Sequence, residues 1–286
     1  MVSSKELVDL LTLEKKSDQH YEGQNYKTPW GRVFGGQVLG QSLYAAYQTV
    51  PEDRIAHSMH GYFILGGDIN IPIDYHVDNI RNGRSFTTRR VVAFQNGKAI
   101  FNMAASFHIK EKGESHQIQM PNVLTPDLLL TDIQQAEGLQ EKDPERFHRM
   151  MKYHPQIFEF KPVDKAIYLQ TRNSAPLAHI WFRIKDKING DLALQHQILA
   201  FASDYSLLLS ATLPHREKLM NAKVYYASLD HALWFHREFN IDNWLLYSIE
   251  SPSASNARGF SRGSIFNKSG VMVASVTQEG LMREYK

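Results

Sequence analysis

One segment occurs twice in this chain, first as Gly36-Gln-Val-Leu-Gly-Gln-Ser-Leu-Tyr44 and again as His196-Gln-Ile-Leu-Ala-Phe-Ala-Ser-Asp204. The sequence that follows each segment is repeated in the same order, so that His60-Gly-Tyr-Phe63 corresponds to Ala232-Leu-Trp-Phe235. A duplicated unit explains this order. Two copies of one unit bury the same apolar face, so they are expected to pack side by side with approximate twofold symmetry.

The composition is that of an ordinary folded protein. The 286 residues are 43% hydrophobic and 22% charged, and the formal net charge is +2. This length allows two domains of ordinary size. A charge so close to zero gives no reason to expect a nucleic-acid partner, and no apolar run is long enough to insert into a membrane. The absence of cysteine excludes thiolate catalysis, disulfide bonds and cysteine-ligated metals, and it is compatible with the cytoplasmic location that we expect.

Each copy is predicted to be one helix followed by an antiparallel meander. The first copy has a helix over 33–49 and strand-like runs over 56–65, 71–80, 85–94 and 99–109. Gly-Gly and Asn-Gly pairs separate these runs, and such pairs are strong hairpin signals. The second copy repeats this order, with a helix over 192–209 and strands over 224–235, 244–250, 258–266 and 271–282.

The fold class is therefore predicted to be α+β, with two helices that are each wrapped by an antiparallel sheet and with the two sheets side by side. We divide the chain into a first repeat (1–110), a connector (111–162) and a second repeat (163–286) that carries the catalytic residues. The connector is polar, contains proline and has one weak helical pattern, over 144–153.

Three polar side chains of the second copy occupy positions that hold inert residues in the first. Asp204 lies about 80° from the centre of the apolar stripe of its predicted helix, so we expect it to be partly desolvated and its pKa to be raised. Gln278 shares one face of its strand with apolar residues, which predicts a buried amide that needs partners. Ser228 lies on the strand that enters Trp234. The aligned residues of the first copy are Tyr44, Ala105 and Ala56.

Motifs in most of both copies resemble those of the type II acyl-CoA thioesterase family. They are Val33-Phe-Gly-Gly-Gln-Val38, Asp230-His-Ala-Leu-Trp-Phe-His236, Trp244-Leu-Leu-Tyr247, Ser253-Ala-Ser-Asn-Ala-Arg-Gly-Phe260 and Thr277-Gln-Glu-Gly280. The resemblance implies a tandem double hot-dog fold and hydrolysis of fatty acyl-CoA to free fatty acid and coenzyme A, with no metal or cofactor. It also implies a homo-oligomer, either a tetramer or a dimer.

The resemblance assigns the catalytic Asp, hydroxyl and Gln of the family to Asp204, Ser228 and Gln278. Many members have Thr at the hydroxyl position, and Ser228 lacks the β-branch that restricts rotation about χ1. A carboxylate with a raised pKa can take a proton from the water that attacks the thioester, while Ser228 and Gln278 hold that water. Direct attack by Asp204 to form a mixed anhydride is a second route that the sequence leaves open.

Two further kinds of site are predicted less directly. By resemblance to other hot-dog enzymes, a backbone N–H near a helix start is expected to bind the oxyanion, and Gly35 and Gly36 are the candidates. Arg258 and Arg262 lie in a stretch rich in Gly and Ser and are candidates to bind the phosphates of coenzyme A. A structural or surface role suits these two arginines equally well.

Two other functions stay open on the sequence. A hot-dog enoyl-CoA hydratase or dehydratase needs an acid and a base on either side of the acyl α and β carbons, typically Asp with His. Here the candidate partners of Asp204 are neutral. A non-catalytic acyl-CoA-binding protein would retain its ligand without releasing thiol. His231 and His236 follow Asp230, but their spacing on a strand does not converge on a metal.

Overall fold

The computed structural model describes residues 3–285, and its 13 strands form one continuous antiparallel sheet. The first copy contributes β1 (Glu14–Ser17), β2 (His20–Gly23), β3 (Ile55–Phe63), β4 (Ile73–Asn82), β5 (Phe86–Gln95) and β6 (Lys98–His108). The rest of the chain contributes β7 (Phe158–Pro162), β8 (Leu177–Ile184), β9 (Val224–Ser228), β10 (Asp230–Phe235), β11 (Leu245–Ser255), β12 (Arg258–Asn267) and β13 (Met272–Glu284).

The strand order has approximate twofold symmetry about one pair of strands. One half of the sheet runs β1-β2-β4-β5-β6-β3 and continues directly into the other half, β10-β13-β12-β11-β8-β7, while β9 pairs with β13 outside this path. The central pair, β3 and β10, is antiparallel from Tyr62 opposite Asp230 to Ser58 opposite Trp234. The predicted α+β class, with two sheets joined side by side, is therefore confirmed.

Two long helices fill the centre of the molecule. The helices are α1 (Ser4–Leu11), α2 (Gly35–Tyr47), α3 (Asp132–Lys142), α4 (Pro144–Tyr153), α5 (Leu192–Ser203) and α6 (Arg216–Met220). Helices α2 and α5 contact each other closely, because a Cβ on Gly36 would lie only 2.3 Å from the backbone oxygen of Phe201. At Gly40 the corresponding distance, to the backbone oxygen of Gln197, would be 3.0 Å. The small residues of α2 thus allow one helix to approach the other.

Two predicted elements differ from the sequence pattern, because one ends early and the other is divided in two. The helix predicted over 192–209 ends at Ser203, and a 3₁₀ segment, Leu208–His215, follows it. Ser206 lies between them with φ +67°, a left-handed conformation that an α-helix cannot contain. The strand predicted over 224–235 is divided at Leu229, whose N–H donates to the Glu279 carbonyl and whose own carbonyl accepts from Phe63. Both breaks adjoin the candidate site.

The predicted connector contains regular structure. Helix α4 covers 144–153 as predicted, and β7 lies within the connector range and pairs with β8 along Phe158–Pro162. The division of the chain into 1–110, 111–162 and 163–286 stays a prediction. Across residues 3–285, no helix has both the length and the apolar character that a membrane crossing requires.

Candidate active site

Asp204 is the residue that caps the carboxyl end of α5. The last residues of this helix, Phe201 to Ser203, are buried, and the chain turns away directly after Asp204. The ring of Tyr205, the next residue, stacks on Phe34 with 4.6 Å between the ring centroids. Phe34 immediately precedes α2. This contact holds the end of α5 beside the start of α2, so that residues of both copies surround the carboxylate.

Three hydrogen-bond donors converge on the Asp204 carboxylate. Its Oδ1 accepts from Nε2 of Gln278 at 3.1 Å and from the Ser228 hydroxyl at 3.4 Å. Its Oδ2 accepts from the backbone N–H of Gly36 at 3.0 Å. Nε2 of Gln278 also donates to the Ser228 hydroxyl. The three side chains selected from the sequence therefore form one hydrogen-bonded cluster.

Strand pairing brings Ser228 and Gln278 together. Ser228 is the last residue of β9 and lies opposite Gly280 of β13, two residues after Gln278. A Cβ at Gly280 would lie 2.5 Å from the end of the Leu208 side chain, so a larger residue there would require Leu208 to move. Gln278 is only 1% exposed, as its apolar neighbours along the strand predict.

Burial raises the pKa of Asp204 above its ordinary value, because the low-dielectric surroundings disfavour the charged form. The hydrogen bonds from Gln278, Gly36 and Ser228 act in the opposite direction by stabilising the carboxylate. A carboxylate has about four lone-pair sites, and three of them accept protein donors here. One site, on Oδ2, is left for a water molecule.

A cavity of about 430 Å³ opens beside Asp204 between the two copies. Gly35, Asp204 and Ser228 line it. Much of the remaining wall is apolar and includes Phe34, Val38, Phe63, Ile64, Leu65 and Leu281. An apolar cavity with a few convergent polar groups is the usual form of a small-molecule site.

The two glycines proposed for the oxyanion lie at this cavity in different situations. The N–H of Gly36 donates to Asp204 and is therefore already engaged. A Cβ on Gly35 would lie 2.7 Å from Oδ2 of Asp204 and 3.0 Å from the Phe63 ring. A side chain at Gly35 would thus displace the carboxylate. The oxyanion role of both glycines stays a prediction.

Arg258 and Arg262 are not among the residues that line the cavity. Arg258 pairs with Glu279 at 3.0 Å, and Arg262 pairs with Glu250 at 2.6 Å. Their role in binding coenzyme A stays a prediction. Arg32, which the sequence analysis did not select, does line the cavity, and its guanidinium lies 4.7 Å from the centre of the Tyr225 ring. The sequence did contain a signal for Arg32, because this residue directly precedes the Val33-Phe34-Gly35-Gly36 motif.

The connector reaches the wall of this cavity. Trp30 lines the cavity and stacks on Tyr153, the last residue of α4, with 6.1 Å between the ring centroids.

In the part of the chain that the structure describes, no group of three or more His, Asp or Glu side chains is arranged to hold a metal ion.

A second cavity, of about 450 Å³, occupies the position related to the first by the approximate twofold symmetry. It is lined by Ala56 and His196, which align with Ser228 and Gly36. The hydroxyl of Tyr47 contacts both residues, because it accepts from the Ala56 N–H at 2.9 Å and lies 2.9 Å from Nδ1 of His196. A tyrosine hydroxyl, rather than a carboxylate, thus bonds two residues of this cavity wall.

Two family models match the chain in the order of its two copies. An acyl-CoA thioesterase N-terminal domain matches residues 26–108, and an acyl-CoA thioesterase model matches residues 153–281. Acyl-CoA thioesterase 2 of Haemophilus influenzae is 37% identical over 97% of this chain and 96% of its own length. A peroxisomal acyl-coenzyme A thioester hydrolase of Saccharomyces cerevisiae is 28% identical over 87% of this chain and 85% of its own.

Solved structures agree with this assignment. An acyl-CoA thioesterase II from Mycobacterium marinum has a TM-score of 0.80 at 37% identity and covers 97% of this chain and 98% of its own. A hot-dog protein of unknown function from Alicyclobacillus acidocaldarius has a TM-score of 0.77 at 18% identity, with the same coverage, and shows the fold alone. The chain therefore belongs to the type II acyl-CoA thioesterase family and is a thioester hydrolase with a double hot-dog fold.

Proposed function

We propose that this enzyme hydrolyses fatty acyl-CoA to free fatty acid and coenzyme A, with Asp204 as the general base that activates water. The observation that carries this proposal is the set of three donors on the Asp204 carboxylate, which leaves one acceptor site free on Oδ2. A water bound there would lose its proton to a carboxylate whose pKa burial has raised, and which is therefore a stronger base than an exposed aspartate.

Ser228 and Gln278 hold the carboxylate and, with it, the attacking water. Nε2 of Gln278 uses both of its hydrogens, one on Asp204 and one on the Ser228 hydroxyl. This arrangement fixes the direction of the base and reduces the entropy that is lost when water attacks the thioester carbonyl. The apolar wall of the cavity suits an aliphatic acyl chain, and the length of that chain is expected to follow from the depth of the cavity.

The test is thiol release from a series of saturated acyl-CoAs by the wild type and by Asp204→Asn. Asparagine keeps the shape of the side chain but cannot act as a base, so we expect kcat to fall by about 100-fold or more. Ser228→Ala and Gln278→Ala are expected to lose less individually. Circular dichroism checks that each variant is folded, and wild-type rates in a folded Asp204→Asn enzyme would remove the proposed mechanism.

We also propose a homo-oligomer, a tetramer or a dimer, in the cytoplasm. Large apolar side chains on the connector support an assembly, because Ile118, Leu128 and Leu130 are each about 60% exposed or more. Light scattering on the purified protein tests this assembly, and a strictly monomeric enzyme would contradict it.

The lack of cysteine is compatible with the proposed cytoplasmic location. Fluorescence microscopy of the tagged chain in its own cell tests that location.

A further inference from the structure

Gln278 and His231 each carry one buried polar atom without a hydrogen-bond partner. Within residues 3–285, Oε1 of Gln278 and Nδ1 of His231 are both fully enclosed and both unpartnered. His231 is 0% exposed and Gln278 is 1% exposed, so solvent does not reach either atom. Buried polar atoms are nearly always hydrogen-bonded in native proteins, so two such orphans in one region need an explanation.

The sheet register brings these two residues opposite each other. Strands β10 and β13 are antiparallel, with Ala232 opposite Thr277 and Leu233 opposite Val276. One step further along this register, His231 faces Gln278. Residues directly opposite on antiparallel strands project to the same face, with Cβ atoms about 5 Å apart. A contact between the two side chains also acts to raise the pKa of His231, against the stronger effect of burial.

The unpaired oxygen of Gln278 selects one tautomer of the His231 ring. Burial lowers the pKa of His231 to about 4, so the ring is neutral at pH 7 and carries a single N–H. Its Nε2 lies 2.9 Å from the Ser203 hydroxyl, which also lies 2.9 Å from the Ala200 carbonyl oxygen. The hydroxyl has one hydrogen, so it can donate to only one of these two partners. Oε1 of Gln278 needs a donor, because Nε2 of Gln278 already uses its two hydrogens on Asp204 and Ser228. A ring proton on Nδ1 supplies that donor, and the Ser203 hydroxyl then donates to Nε2. The opposite tautomer would direct the lone pair of Nδ1 at the lone pairs of that oxygen, which is unfavourable.

We propose that His231 is a positioning residue, whose Nδ1–H donates to Oε1 of Gln278 and so directs the amide nitrogen at Asp204 and Ser228. A rotated amide would turn its oxygen toward the carboxylate and withdraw both N–H donors from the site. Ser203, which directly precedes Asp204, holds the other side of the ring. The proposal rests on the general-base role of Asp204 described above.

Two substitutions of His231 separate its two nitrogens. An asparagine places its amide where Nδ1 lies and can still donate to Gln278, whereas a glutamine reaches the position of Nε2 and can bond only Ser203. We expect His231→Gln to lower kcat by about 10-fold to 100-fold with little change in KM, and His231→Asn to stay within about threefold of the wild type.

The acid limb of the pH dependence of kcat gives an independent test of the role of His231. A weaker donor on Asp204 stabilises the carboxylate less, so its pKa rises and the limb moves to higher pH in His231→Gln. The titratable side chains adjoining Asp204, Tyr205 and Tyr247, have pKa values that burial raises well above 10, so they stay neutral and do not move the limb. His196→Gln is the matched control, because His196 is equally buried but lies in the second cavity. It should leave both kcat and the limb unchanged.

A double substitution tests whether His231 acts through Gln278. In the Gln278→Ala background, His231→Gln should cause no further loss of kcat, since the amide that it positions is absent. If His231→Gln does not fold, Ser203→Ala carries the test, because it keeps the ring and removes the hydroxyl that donates to Nε2 when the proton is on Nδ1; a several-fold loss of kcat is then expected. Three results would overturn the proposal. They are equal kcat values and equal acid limbs in His231→Asn and His231→Gln, additive losses of kcat in the double variant, and an unchanged kcat in Ser203→Ala. An active Asp204→Asn enzyme would instead overturn the general-base mechanism itself.

Discussion

At the scale of single residues, the candidate site depends on a balance of two effects on one carboxylate. Burial makes Asp204 a better base by raising its pKa, whereas the donors from Gln278, Gly36 and Ser228 lower that pKa and keep the group ionised. A base is useful only if it is both deprotonated at the working pH and strong enough to take a proton. The hydrogen bonds therefore tune the carboxylate as well as orient it.

The contribution of Ser228 to this balance predicts a shift in pH dependence. Because the base must be ionised, kcat rises with pH through the pKa of Asp204. Ser228→Ala removes a donor that stabilises the carboxylate, so that pKa should rise and the acid limb should move to higher pH. Ser228→Thr keeps the hydroxyl and should leave the limb in place. Initial rates of thiol release across the pH range measure this, and a downward shift in Ser228→Ala contradicts it.

The sequence predicted which side chains form the site but not all of their contacts. Asp204, Ser228 and Gln278 were selected because each replaces an inert residue of the other copy and because they match the catalytic residues of the family that the chain resembles. The structure brings all three together. The bond from Gly36 joins residues 168 positions apart, and the pairing of His231 with Gln278 depends on strand register. Neither follows from local periodicity, because neither partner is close in sequence.

At the scale of elements, the sequence predicted the end of α5 too late. The apolar spacing continues through Tyr205 and Leu208, which suggested a helix to residue 209, yet the α-helix ends at Ser203. Tyr205 and Leu208 are still directed inward, one toward Phe34 and the other toward Gly280. The apolar periodicity correctly indicated that these side chains point inward. It did not reveal that the α-helix ends before Asp204, whose carboxylate faces the cavity.

The other end of α5 gives a prediction about stability. The side chain of Asp191 caps this helix by accepting from the N–H of Leu194 at 2.9 Å. Asp191→Ala leaves that donor without its cap and should lower the free energy of unfolding by about 1 kcal/mol. Asp191→Asn retains a capping oxygen and should cost much less. Urea denaturation measures both variants, and equal losses in the two would show that the cap is not the cause.

At the scale of the whole molecule, duplication produced two related cavities, of which one has the elements of a catalytic site. The candidate active site is built from both copies, because Gly36 comes from α2 while Asp204, Ser228 and Gln278 come from the second copy. In the second cavity Ala56 and His196 align with Ser228 and Gly36, and both contact the Tyr47 hydroxyl. A tyrosine there satisfies buried polar groups but is a poor base at neutral pH, because burial raises its pKa further above 10.

Substitutions at the two cavities should therefore have opposite effects. Tyr47→Phe removes the hydroxyl that bonds the Ala56 N–H and His196, and it keeps the ring that packs edge-on against Phe107 at 5.0 Å. The free energy of unfolding should fall by about 1–2 kcal/mol, because a partly buried N–H loses its partner. Thiol release should stay within about twofold of the wild type, whereas Asp204→Asn should lose activity and remain folded. Urea denaturation and thiol release, measured on both variants, decide the matter. If folded Tyr47→Phe instead lost activity by tenfold or more, the second cavity would have to take part in catalysis.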